Sequence, residues 1–358
     1  MKKILLLNLL FIGSLFSQDY YYEKYAPFDE NIKSPEEFLG YPIGEMQTRH
    51  DLIVSYMEYL SNVSDKAQII HYGETYEKRK LVILAISSSD KILELEKIRE
   101  NHISYLNPEH PNYLEESKPE DLPVIINLAY SVHGNEPSTS EAALLTAYTL
   151  IGSKSDEISK YLSESIILID PTLNPDGRDR HTHWVNTYKG SPLVDDPQDA
   201  EHNEYWPGGR TNHYWFDLNR DWYLGIHPES RSKLKWYHSW KPNVTADFHE
   251  MGTNSTYFFV PFKPNGSLNP VIPKENYEYF NFLFGSYFAE ALDEIGTLYF
   301  TREIFDRTYP GYGSAYPDYL GGIGLLFEQA SSRGFKQKTQ FGEITFPFTI
   351  KNQYVSGM

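Results

Sequence analysis

Cysteine is absent from all 358 residues. Disulfides, thiolate metal sites and a cysteine nucleophile are therefore excluded, and any metal has to be held by His, Asp or Glu. Basic residues are the minority charge: 32 Lys and Arg stand against 49 Asp and Glu, a formal net charge of -17. No basic stripe gathers anywhere, so a phosphate backbone would be repelled and nucleic acid is not expected as a partner. Repeats and low-complexity tracts are missing. Long apolar runs are missing too. The run at residues 4–16 covers about 13 positions, short of the roughly 20 that a membrane-spanning helix needs.

That short run has a context. Lys2 and Lys3 precede it, Asn8, Gly13 and Ser14 interrupt it, and the polar Ser17 and Gln18 follow. This is the layout of a secretory signal peptide, with an uncleaved anchor as the competing reading. The mature chain is expected to start near Gln18 or Asp19, outside the cell or in the periplasm, with no transmembrane segment left after cleavage. No cysteine follows the run, so lipid attachment at that point is excluded.

Hydrophobic residues make up 40% of the chain, enough for a packed core without staples. Residues 20–33 are aromatic and acidic without periodicity and read as an extended arm on the surface. Ser34-Pro35-Glu36-Glu37 is a helix start, with Ser as N-cap and Pro at the first helical position. Leu52, Ile53, Tyr56, Met57 and Leu60 recur at helical spacing. Residues 67–71 and 80–86 read as a strand pair joined as a hairpin. Buried strands are expected at 122–128, 166–170, 244–248 and 324–327, with a helix at 138–150 after the first of them. Strands alternating with helices point to an α/β fold with a mixed, largely parallel central sheet. Residues 179–215 read as a long irregular loop rich in His, Tyr and Trp, and loops of that length are commonly functional.

Four clusters carry chemistry. His133-Gly134-Asn135-Glu136 follows a buried strand and precedes a helix, for which Ser138 and Glu141 suggest a capping box. Alone, the His-x-x-Glu pattern fits a surface loop at least as well as a metal site. In Asp247-Phe248-His249-Glu250 a second apolar strand runs into a His. Two strand-end histidines and one Glu would make a three-ligand zinc site with a position left for water. Asp247 or Glu250 could orient an imidazole. In Asp217-Leu218-Asn219-Arg220-Asp221-Trp222, Arg beside Asn offers donors for a carboxylate, or else an ion pair with Asp217 or Asp221. Glu328 ends an apolar strand, where a carboxylate needs a task or a partner; in a metal hydrolase it would be the general base. His181 and His183 form a His-x-His pair that would share a face on a strand.

In this order along the chain, His133-x-x-Glu136, Asn174-Pro175-Asp176-Gly177, Asn219-Arg220-x-Trp222, His249 and Glu328 resemble the zinc carboxypeptidases of the carboxypeptidase A and B type. Tyr72 to Arg79 resembles the first hairpin of that family. The resemblance implies one zinc per chain, held by His133, Glu136 and His249. It implies a terminal carboxylate held by Asn219 and Arg220, with Glu328 as general base and later proton donor. An arginine for the oxyanion is expected after Asn-Pro-Asp-Gly. Arg180 is the choice here, with Arg178 and Arg210 as alternatives. A tyrosine upstream of Glu328 is also expected, chosen as Tyr316 from Tyr309, Tyr312, Tyr316 and Tyr319. The implied function is removal of C-terminal residues from peptides. The alternatives are a zinc amidohydrolase acting on acyl-amino acids or cell-wall peptides, or an inactive peptide-binding relative.

Two departures from the family pattern stand out. Asp221 replaces the usual Asn, which could weaken carboxylate binding, and Glu250 could favour basic substrates. The expected organisation is a signal peptide at 1–18, an arm at 19–33 and a single catalytic domain at 34–358. Residues 346–358 could be only part of the family's last helix, which leaves open whether the natural chain continues beyond Met358.

Overall fold

A computed structural model describes residues 20–107, 109–110, 113, 118–267 and 269–358. The expected signal segment lies outside them. Eight strands form one twisted sheet: β1 (Ala67–Glu74), β2 (Lys80–Ile86), β3 (Val124–Tyr130), β4 (Ser165–Asp170), β5 (Val244–Met251), β6 (Tyr257–Phe259), β7 (Tyr299–Phe300) and β8 (Ile323–Ala330). Their spatial order is β1-β2-β4-β3-β5-β8-β6-β7. The four central strands β4, β3, β5 and β8 are parallel, β1 and β2 form the expected hairpin, and β6 is antiparallel to β8.

Alternation along the strands explains why both faces are covered. Leu84, Ile86, Ile167 and Ile169 join one core, with helices His50–Val63, Pro137–Gly152 and Phe346–Gly357 packed over it. Their neighbours Ile83, Ala85, Ile166 and Leu168 join the other, under Trp236, Tyr237 and Trp240 of helix Pro228–Trp240. A parallel sheet built this way is apolar on both faces, which is why its strands read as continuous apolar runs.

From β3 the chain crosses to β4 on one side, while β5 lies on the other side of β3. The carboxyl ends of β3 and β5 therefore flank a topological switch point, where open α/β sheets place their ligands. His133 follows β3 and His249 lies near the end of β5.

Several local expectations change. The arm is not merely superficial: Tyr21, Tyr22, Tyr25 and Ile32 are buried. The first part of the expected loop at 179–215 is instead helix Pro175–Tyr188, started by Asn174, whose side chain accepts from Gly177 N, and most of the remainder is irregular as expected. His181 and His183 are thus two apart on a helix and point apart, His181 buried and His183 exposed. The capping box at Ser138 does not form. Pro137 opens that helix, Ser138 bonds Glu250, and Glu141 bonds Thr48 and Arg178. All sixteen residues of helix Pro137–Gly152 are buried, so its polar residues were drawn into core partnerships rather than caps.

Candidate functional site

β3 ends at Tyr130, and Ser131 takes a left-handed φ of 57° that turns the chain into His133. Gly134 permits the turn to close: a Cβ there would lie 2.0 Å from Arg178 N. Gly177 makes a second such approach, with its would-be Cβ 2.2 Å from Gly209 O. The ligand loop, the start of helix Pro175–Tyr188 and the loop carrying Arg210 are thereby stacked main chain to main chain, which only glycine allows.

His133, Glu136 and His249 are buried and converge. His133 Nδ1 is 2.7 Å from Glu136 Oε1, His249 Nδ1 is 3.1 Å from Glu136 Oε2, and the two Nδ1 atoms are 3.2 Å apart. On the far side of each ring a carboxylate stands 2.9 Å from Nε2, Asp217 for His133 and Asp247 for His249. At His133 a proton on Nε2 is shared with Asp217 and Nδ1 turns toward Glu136; at His249, Nε2 lies between the Asp247 carboxylate and Asn219 Nδ2, and Nδ1 again turns toward Glu136. Two ring nitrogens and a carboxylate gathered in one buried spot call for a shared proton or cation. The donor set of two imidazoles and one carboxylate suits zinc. Burial alone would lower His133 and raise Glu136. The mutual charges overcome it, so both imidazoles are raised and the carboxyl is held far below its usual range.

Glu328 enters through register. It is paired with His249 across the parallel β5–β8 ladder. Burial pushes its carboxyl up to about 8; the Glu136 and Asp247 charges add to this, and both imidazoles work against it. A carboxyl poised near neutrality can take and return a proton.

The other predicted residues divide. Asn219 is brought to the centre: its Nδ2 lies 3.3 Å from His249 Nε2, and its Oδ1 accepts from Gly313 N. Arg220 is half-exposed beside it, 3.8 Å from Asp217, with its guanidinium 4.7 Å over the Tyr312 ring. Arg180 is elsewhere. It donates to the carbonyls of Gly208, Thr211 and Asn212, holding the loop in shape. Arg178 is fully buried on Glu141. The arginine at the histidines is Arg210, 3.3 Å from His133 Nδ1, 3.6 Å from Glu136 and 2.9 Å from Asp217. Tyr316 is also turned away, bonded to His238 and packed on Trp222 and Tyr237. Tyr309 and Tyr312 are the tyrosines that touch Arg220.

Asp221 does not compete for Arg220. Its two oxygens accept from Ile226 N and His227 N at 3.0 and 2.9 Å. Glu250, one residue past His249 and so on the opposite face of β5, is tied to Ser138 and Ser331 and shapes no substrate pocket. Asp217 is the functional residue that sequence reasoning cast only as an ion-pair partner. Its carboxyl lies far below the usual range because His133, Arg210 and Arg220 together outweigh its burial.

Comparison with known proteins agrees with this fold. A family model described as zinc carboxypeptidase matches residues 53–267, a span that includes His133, Glu136, Asn219, Arg220 and His249. No curated protein matches. Among solved structures, the carboxypeptidase A of Helicoverpa armigera shares 15% identity at a TM-score of 0.57, covering 96% of this chain and 78% of that one. A metallo-carboxypeptidase from Burkholderia cenocepacia shares 13% at 0.55, covering 86% and 67%. The chain spans about two thirds of several bacterial structures that it matches, 65% for one from Burkholderia mallei and 67% for one from Shewanella denitrificans. Likeness at this identity speaks for the fold, and the family match for kinship. On both grounds this chain belongs to the zinc carboxypeptidase family.

Proposed function

We propose that the protein is an exported zinc metallocarboxypeptidase that removes C-terminal residues from peptides. The observation that carries this reading is the meeting of His133, Glu136 and His249 with Glu328 one strand away in register. His133, Glu136 and His249 would hold the zinc, which when bound supplies Lewis-acid activation of the scissile carbonyl and of water. Glu328 takes a proton from the attacking water and returns it to the leaving amine, a role its raised carboxyl suits. Asp217 keeps His133 in the tautomer that offers Nδ1, and Asp247 stands 2.9 Å from the His249 ring on its far side. Arg210, partly exposed beside Glu136, donates to the oxyanion in place of Arg180. Arg220, stacked on Tyr312, binds the terminal carboxylate and makes the enzyme an exopeptidase. Asn219 fixes the Arg220 backbone against His249 and Gly313. Export rests on the N-terminal signal pattern; among the described residues no helix is long and apolar enough to cross a membrane.

The test is metal content together with release of C-terminal residues from a mixed peptide set. One zinc per chain with trimming supports the reading. Zinc without trimming, but with cleavage of acyl-amino acids or cell-wall peptides, moves the substrate class to an amidohydrolase. Folded protein that takes up no zinc overturns it.

A further inference from the structure

The loop that carries Arg210 also carries apolar surface that the catalytic roles leave unused. Trp206 and Trp215 are 70% and 56% exposed, yet their ring centroids lie only 4.7 Å apart. Exposed tryptophans paired in this way bury little against their own fold, and large exposed aromatic surface marks binding.

The pair is held in place. Glu204 accepts from Asn135 Nδ2 and Gly209 N and meets His181 Nδ1, fixing the loop beside Trp206. Buried Asn212 accepts from the backbone of Tyr214 and Phe216 through its side chain, and from Trp215 N through its carbonyl. Trp215 itself has a φ of 61°, a left-handed conformation that costs a bulky residue about 1 kcal/mol or more. Trp215 thus presents its ring to solvent beside Trp206 rather than to the core.

Position says what the rings meet. Trp215 is two residues from Asp217, and Trp206 is four from Arg210. An extended chain covers at most about 3.6 Å per residue, so the pair lies within roughly 7–14 Å along the backbone of side chains that touch the ligands. A bound peptide covers that distance in two to four residues. Arg220 leans instead on Tyr312, from a different loop, so the tryptophans are not part of its immediate surroundings.

We infer that Trp206 and Trp215 form a shelf for an apolar or aromatic side chain of the substrate peptide, two to four residues upstream of the bond cleaved. This rests on the carboxypeptidase reading and adds to it a preference for longer, apolar substrates. The shelf acts in binding and is remote from the reacting atoms.

The test uses the zinc-loaded enzyme with a short N-acyl dipeptide and hexapeptides bearing Phe, Ala or Glu at the upstream positions. The wild type should favour Phe over Ala by about tenfold in kcat/KM, mostly through KM, as expected for one ring contact. W206A and W215A should lose that preference while turning over the dipeptide as the wild type does. A preference that survives in both variants overturns the shelf. So does an equal loss on the dipeptide, because the rings would then only brace the Arg210 loop. If the wild type cleaves no peptide, the carboxypeptidase reading fails by itself. Titration of E328Q with the Phe hexapeptide, followed by tryptophan emission, then decides the shelf: a response lost in W206A/E328Q supports it, and no response overturns it.

Discussion

His249 and Glu328 are register partners across β5 and β8, so the proposed metal ligand and the proposed proton carrier are set side by side by one run of sheet hydrogen bonds. Because the ladder places them, the carboxylate can be neutralised without disturbing the ligands. Glu328→Gln should keep its metal and fold while kcat falls about 10²–10⁴-fold, the usual share of general acid–base catalysis. Metal analysis beside steady-state kinetics checks both halves. Loss of metal in the variant would mean that Glu328 is part of the ligand set.

Asp217 touches His133, Arg210 and Arg220 at once. Asp217→Asn should weaken metal binding about 10–100-fold, as loss of a carboxylate behind a ligand histidine does. Competition with a chelator of known affinity measures it. Unchanged affinity would leave Asp217 as an anchor for the arginines alone.

Arg178 and Glu141 form a fully buried pair at 2.7 Å, and Arg178 also donates to the Thr48 and Pro137 carbonyls. Removing one partner strands the other charge. Arg178→Met should cost about 3–5 kcal/mol. The loss should be smaller in the double variant with Glu141→Leu, which leaves no charge behind. Urea unfolding of the four proteins measures the coupling.

Glu204 links acid stability to the Arg210 loop. Burial alone would raise its carboxyl, but the His181 charge and the hydrogen bonds from His181, Asn135 and Gly209 bring it down to about 2. The folded protein therefore holds this group ionised more firmly than the unfolded chain. Its contribution is present above about pH 4.5 and is lost as the pH falls through about 2, amounting to about 3 kcal/mol. Glu204→Gln should be less stable than wild type at neutral pH, and the difference should shrink in acid. Thermal melts from pH 7 to pH 2 check this; a gap that stays constant would show that Glu204 acts through packing instead.

The sheet and the hairpin were legible in the sequence because each rests on a local pattern, while the convergence of His133, Glu136 and His249 was expected only from the order of the motifs along the chain. Apolar runs between turn residues marked β3, β4, β5 and β8. The arginine and the tyrosine were not legible. Arg180 lies closer to Asn174-Pro175-Asp176-Gly177 in sequence, but a helix runs on to Tyr188 and carries it away from the histidines. Arg210 returns only because Glu204 and Arg180 fold the following loop back. Tyr316 was chosen over Tyr309 and Tyr312 without knowledge of which side of residues 301–322 faces Arg220. Both misses concern long-range loop packing, which no periodicity encodes.

The close approaches at Gly134 and Gly177 bear on how this protein can evolve. What each glycine faces is an amide nitrogen or a carbonyl oxygen, atoms that every amino acid carries. A side chain that clashes with another side chain can be rescued by trimming the neighbour, but a clash with main chain has no such remedy. Gly134→Ala should therefore yield only true revertants when function is selected, never second-site suppressors.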